Sequence, residues 1–253
     1  MAVLTNILAA RRQGRKLLAL LLDPEKVDLD RLPFSGGYLP DYVFVGGSTG
    51  GNCDAFVKDL RRRTAIPIVL FPGSVMQFSP SADALLFLSL LSGRNAETLI
   101  GQQVRAARAV QLSGIESIPM GYILIDGGKE TAVQRVTHTQ PIPQTDINQI
   151  IDTAIAAELL GKQLAYLEAG SGAATPVDAD IIRAVRGNTH IPLIVGGGIR
   201  STEQMVDAFD AGADMVVIGN HFEAHPEELT DFCQTAQHLR NVQLPVNSTS
   251  EER

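Results

Sequence analysis

Eight short, nearly unbroken hydrophobic stretches recur along the chain: KLLALLLD (16–23), DYVFVGGS (41–48), PIVLFPG (67–73), ALLFLSLLSG (84–93), ESIPMGYILIDGG (116–128), LAYLEAG (164–170), PLIVGGGI (192–199) and MVVIGN (215–220). Each has strand length. Continuous rather than alternating apolarity is what a strand buried on both faces shows. Each hydrophobic run gives way to Asp, Gly, Ser or Asn. Helical patterns lie between them: 52–64 behind Asn52, 95–114 from Asn95 to Gly114, 145–161 from Thr145 to Gly161, 201–212 from Ser201 to Gly212, and 226–241 with Pro226 at the first helical position. Alternating strands and helices predict a parallel α/β fold. The count of eight predicts a closed (β/α)8 TIM barrel, with residues 1–253 as a single domain. An open dinucleotide-binding sheet would want GxGxxG after an early strand, but the early turns here are DPEK and GGSTGG. Two connections depart from the regular pattern. SVMQFSPSAD (74–83) has no apolar helical stripe, so the third helix is expected to be missing. The stretch 127–144 is long for a connection and reads as a lid or rim.

Composition narrows the function classes. At 253 residues the chain can bury a core without disulfides or metal clips. A formal net charge of −7 argues against a general nucleic-acid binder, which needs a basic surface. Two distant cysteines, Cys53 and Cys233, make neither a disulfide framework nor a zinc spacing, and a cytoplasmic location is expected. The five histidines show no metal-ligand pattern. The apolar stretch 17–22 is too short to span a bilayer and lacks a signal-peptide cleavage pattern. The polar tail, 245–253, is expected to fray.

Three groups of residues carry chemistry. IVGGGIRSTEQ and MVVIGNHF place glycines between a strand and a helix start, twice in succession. Glycine lets backbone approach a ligand, and helix-start N–H groups attract anions. Strands seven and eight are where barrels build phosphate sites; the alternative is that these are simply tight turns. In YLEAGSGA (166–173), Tyr166 and Glu168 are two apart on a strand and share one face, which looks into the barrel mouth. A carboxylate there needs partners, either polyol hydroxyls or a core Arg or Lys. Gly170, Ser171 and Gly172 can supply N–H donors to the same phosphate. In LLLDPEK, Asp23 ends the first strand. It is either a Mg2+ carboxylate or a helix N-cap. Ser48 adds a hydroxyl at the neighbouring strand end. Lys26 meets a phosphate or lies in solvent.

DPEK, GGS, FPG, SLLSGRN (89–95), YLEAGSGA, GGGIRS and IGN, in this order at these strand ends, resemble the geranylgeranylglyceryl phosphate synthase family and the related heptaprenylglyceryl phosphate synthases. The resemblance covers residues from about 10 to 235. It implies that the third helix is replaced by a strand or loop. It also implies a prenyltransferase that joins sn-glycerol 1-phosphate to a polyprenyl diphosphate, geranylgeranyl diphosphate being expected, through an ether bond with release of diphosphate. In that family's terms Asp23 and Ser48 hold Mg2+. Tyr166, Leu167, Glu168, Ala169, Gly170, Ser171 and Gly172, then Gly197 and Gly198, then Gly219 and Asn220, bind glycerol phosphate, with Glu168 and Tyr166 catalytic. Glu25 is given no role. A homodimer or homohexamer is expected, with no transmembrane segment and at most transient membrane contact. The prenyl chain is expected beside 74–83, past Met76 and Phe78. The competing reading is another phosphate-binding barrel: an aldolase, an isomerase, a flavin enzyme or a non-catalytic binder. A Schiff-base aldolase would need a strand lysine, and strands two to eight have none in their interiors.

Overall fold

The computed structural model describes residues 2–32, 34, 37–47 and 51–241. Eight parallel strands close in sequence order into a barrel: β1 (Leu17–Leu22), β2 (Tyr42–Val45), β3 (Ile68–Leu70), β4 (Ala84–Leu90), β5 (Glu116–Leu124), β6 (Leu164–Glu168), β7 (Leu193–Gly196) and β8 (Met215–Ile218), with β8 pairing back onto β1. All eight fall inside the hydrophobic stretches. Their two faces separate cleanly. Ala19, Phe44, Val69, Leu86, Tyr122, Tyr166, Ile194 and Val217 fill the barrel interior. Leu18, Leu20, Val43, Ile123, Leu167 and Val195 face outward into the helical layer.

The helices are α1 (Val3–Arg12), α2 (Asp54–Arg63), α3 (Gln102–Ser113), α4 (Ala132–Thr137), α5 (Ile147–Leu159), α6 (Ala179–Asn188), α7 (Thr202–Asp210), α8 (Asn220–Ala224) and α9 (Leu229–Asn241). A π-helical turn, Glu97–Gly101, leads into α3, with Asn95 Oδ1 accepting from the Glu97 amide at 3.0 Å. Capping follows local chemistry. Ser201 accepts from the Gln204 amide, and Gly114 closes α3 at φ 69°. At α5 the cap is Asp146 rather than Thr145, because its carboxylate reaches the Gln149 amide at 3.2 Å.

Helix α1 lies across the N-terminal end of the barrel. Val3, Ile7 and Ala10 join the interior cluster there, and the Glu116 carboxylate accepts from the Val3 and Leu4 amides. An acidic group at a helix start satisfies free amides and opposes the helix dipole. The C-terminal end is left for the site. No helix stands between β3 and β4. In its place an irregular connection with two turns is tied down by side chains: Gln77 Oε1 accepts from the Gly73 amide at 2.8 Å, and Ser79 Oγ donates to Asp54 at 2.7 Å. Among the described residues no helix is long and apolar enough to cross a membrane.

Candidate active site

Tyr166 and Glu168 point inward from β6, as their two-residue spacing requires, and both line a cavity at the C-terminal mouth of the barrel. Glu168 is 5 % exposed. Its Oε1 accepts from the Gly170 amide at 2.6 Å, and the Tyr166 hydroxyl donates to the same carboxyl group. Burial outweighs these two bonds and raises the Glu168 pKa to about 7. Burial, then the charge of Glu168, holds the Tyr166 phenol well above its ordinary range, so it stays a donor. No Arg or Lys side chain is hydrogen-bonded or ion-paired with Glu168 among the described residues. That removes the core ion pair as its explanation.

The glycine turns serve distinct ends. A Cβ on Gly197 would fall 2.3 Å from Glu168 Oε1 and 2.6 Å from the Gly170 nitrogen, and Gly197 has φ +79°. Glycine is therefore required there so that the carboxylate can lie against the next turn. Ser171 Oγ donates to Asn220 Oδ1 at 2.6 Å, which draws the turn after β6 to the one after β8. Ser171, Gly172, Gly197, Gly198, Gly219 and Asn220 all line the cavity. Three of the residues expected beside them are placed differently. Leu167 and Ala169 alternate to the outer face and pack in the helical layer, fully buried. The Gly170 amide is taken by Glu168.

Asp23 follows β1 and is 7 % exposed. Its Oδ1 accepts from the Glu25 amide at 3.1 Å, as a turn cap does, and it also lines the cavity. Lys26 lines the cavity beside Asp23, with its Nζ 2.8 Å from Asp23 Oδ2. Partial burial alone would lower the Lys26 pKa, but the bond and charge of Asp23 reverse this and the net shift is upward. Ser48 lies outside the described residues. Its neighbour Gly47 is informative: a Cβ there would meet Asp23 Oδ2 at 2.8 Å, so glycine leaves the face of the carboxylate open.

The cavity, about 420 Å³, does not end at the mouth. It continues through the gap beside 74–83, past Val75, Phe78 and Phe87 to Ala106, Ala109 and Val110 of the α3 side. Met76 is 64 % exposed and does not line it, so the groove runs by Val75 and Phe78 instead.

Residues 12–237 match the sequence model of the PcrB family. This chain belongs to the PcrB family. It is 46% identical over 226 residues to the geranylgeranylglyceryl phosphate synthase of Zunongwangia profunda, covering 87% of this chain and 97% of that one. It is 39% identical over 239 residues to the synthase of the same name from Korarchaeum cryptofilum, covering 91% and 97%. The crystal structure of (S)-3-O-geranylgeranylglyceryl phosphate synthase from Thermoplasma acidophilum, with its substrate sn-glycerol-1-phosphate, superposes with a TM-score of 0.85 at 34% identity over 94% of this chain and 99% of that one.

In this PcrB-family barrel the structure adds site residues that sequence reasoning missed. Tyr166 stacks on Phe71 (centroids 5.2 Å, 16° between planes) and on Tyr122 (5.5 Å, 22°), making one aromatic wall beside Glu168. In the linear pattern Phe71 belongs to the FPG turn and Tyr122 to a strand. The register pairs Tyr122 with Tyr166 across β5 and β6, and pairing is not visible in a linear pattern. Glu223 on α8 also lines the cavity. Its pKa is raised by burial and by Asp23, against the opposing pull of Lys26. Helix α4 supplies Ala132, Val133, Val136 and Thr137 to the opposite wall, which is the part played by the long 127–144 connection.

Proposed function

We propose that this protein is a prenyltransferase that forms an ether between sn-glycerol 1-phosphate and a polyprenyl diphosphate, geranylgeranyl diphosphate being the donor its relatives' names indicate. The observation that carries this reading is the continuity of one cavity. Its polar end holds Glu168 and three glycine-bearing turns, and its other end is an apolar groove where a barrel helix is missing. A phosphate-binding isomerase or aldolase needs the first end and has no use for the second. A prenyl chain needs the groove, because each buried CH2 is worth about 0.8 kcal/mol.

The glycerol phosphate anion lies against the turns at 171–172, 197–198 and 219–220. Glu168 accepts a hydrogen bond from the glycerol hydroxyl that attacks C1 of the prenyl donor. The new C–O bond forms as the C1–O bond to diphosphate breaks and its electron pair leaves with diphosphate. The hydroxyl proton passes to Glu168, whose pKa of about 7 suits an acceptor near neutral pH. The stacked faces of Phe71, Tyr122 and Tyr166 favour the positive charge that builds at C1.

The residues present fit Mg2+. Asp23 offers a hard carboxylate at the cavity mouth that Gly47, lacking a Cβ, does not crowd; an ion there would displace Lys26 from Oδ2, and Ser48 would add a hydroxyl. Bound there, Mg2+ would neutralise charge on the diphosphate leaving group. The test is incubation with labelled sn-glycerol 1-phosphate and prenyl diphosphates of several lengths, with and without chelator, followed by product mass. A prenyl ether formed only with Mg2+, and weakened more by Asp23→Asn than by Ser48→Ala, is expected. No ether with any donor would overturn the reading, and full activity in excess chelator would overturn its metal.

A further inference from the structure

Past β8 the chain carries a histidine–carboxylate cluster of which His221 alone lines the cavity, while His225, Glu227 and Glu228 lie outside it. His221 lies in the first turn of α8 and His225 is its C-cap, four residues on, with ring centroids 5.3 Å apart. Pro226 then starts a 3-10 turn, Pro226–Glu228, which swings Glu227 and Glu228 back toward the histidines. Glu228 Oε2 lies 2.8 Å from His221 Nε2, and Glu227 Oε1 lies 3.5 Å from His225 Nδ1. One donor atom each of His225, Glu227 and Glu228 falls within 4.8 Å of the other two. Linear spacing gave no hint of this, because the turn at Pro226 brings the ligands together.

We propose that His225, Glu227 and Glu228 form a binding site for a divalent transition metal of the Zn2+ class, separate from the Asp23 site. One imidazole nitrogen and two carboxylates, with water completing the shell, is a donor set that zinc accepts. The imidazole disfavours magnesium, which takes oxygen ligands. Two carboxylates this close repel each other, and a cation relieves that. His221 acts as the supporting group. Its ring is held against Phe222 and Phe232 (centroids 5.4 and 5.6 Å) and is nearly buried, so its bond to Glu228 fixes one ligand before metal arrives. His225 and Glu227 are exposed, which gives the ion a way in. Because α8 begins at Asn220, a metal here clamps the segment that leads out of the 219–220 turn.

The test uses the full, untagged chain in saturating Mg2+, titrated with Zn2+ by calorimetry and with Co2+ by visible absorption. One equivalent should bind, at least tenfold more weakly in His225→Ala and in Glu227→Gln. Both side chains face solvent, so both variants should keep the parental circular dichroism. Zn2+ should raise the Tm of the parent but not of His225→Ala, as a ligand that binds only the folded state does. No binding, or equal affinity in parent and variants, would overturn the site. So would binding lost in Asp23→Asn but kept in His225→Ala.

Discussion

Glu168 is a carboxyl group held where its charge is costly: buried, bonded to one amide and one phenol, with no cation paired to it among the described residues. Its pKa rises from an ordinary 4.5 to about 7. The folded protein therefore keeps this proton between those values while the unfolded chain has lost it. Stability from this group falls as pH rises through that window, by about 3 kcal/mol in total. Glu168→Gln keeps an acceptor for the Gly170 amide and removes the charge. We predict that, without substrate, this variant melts higher than the parent at pH 8 and that the two converge near pH 5. The same change should lower kcat by roughly 10²–10⁴ at saturating glycerol phosphate. It should also erase the limb of kcat/KM that rises with pH through about 7. Melting curves and a pH–rate profile check both halves. A variant with parental kcat and a raised KM would reduce Glu168 to a binding group.

At the scale of elements, the turns after β6 and β7 are built around each other. Gly197→Ala puts a Cβ at positive φ and within 2.3 Å of Glu168 Oε1. The backbone term alone costs about 1–2 kcal/mol. We predict a loss of at least that size in urea denaturation, because the clash adds to it, together with a fall in kcat that tracks the displaced carboxylate. A stable variant with full activity would show that the close approach is not needed. The strands were legible in the sequence because a buried parallel strand is continuously apolar and each run is short and gives way to Asp, Gly, Ser or Asn. So was the missing helix, since SVMQFSPSAD has no apolar stripe. Helix α6 was not assigned, although a strand-to-strand crossover demands one. It is ten residues long, and its one glycine, Gly187, lies inside the last turn rather than just past it, where extended Thr189 follows. Val3, Ile7 and Ala10 of α1 have the spacing of a helix face, but that this face plugs the barrel is not written in the linear pattern. In the site, Glu168 and Tyr166 were readable from a two-residue period. Phe71, Tyr122 and Glu223 were not, because their meeting depends on register and on the turn after β8.

The whole molecule divides its labour between two ends. At the N-terminal end Asp214 accepts from the Leu193 amide at 2.8 Å and from Arg186, and pairs with Arg11 of α1 at 3.4 Å. One carboxylate thus ties β7, α6 and α1 to the start of β8. Asp214→Ala leaves two guanidinium groups and an amide without this partner, and should cost about 3 kcal/mol of stability. At a temperature where the variant remains folded, prenyl transfer should be unchanged, because the chemistry lies at the other end. Loss of activity in a folded variant would mean that the two ends are coupled. At the C-terminal end the account rests on a single continuous cavity that takes an anion at one extreme and a greasy chain at the other. The most direct measurement is a crystal structure with sn-glycerol 1-phosphate and a non-hydrolysable geranylgeranyl thiodiphosphate bound together. The phosphate should lie against the 171–172, 197–198 and 219–220 turns, the glycerol hydroxyl on Glu168, and the prenyl chain along Phe78, Phe87 and Ala106. A phosphate bound away from those turns, or a prenyl chain outside the β3–β4 gap, would contradict it.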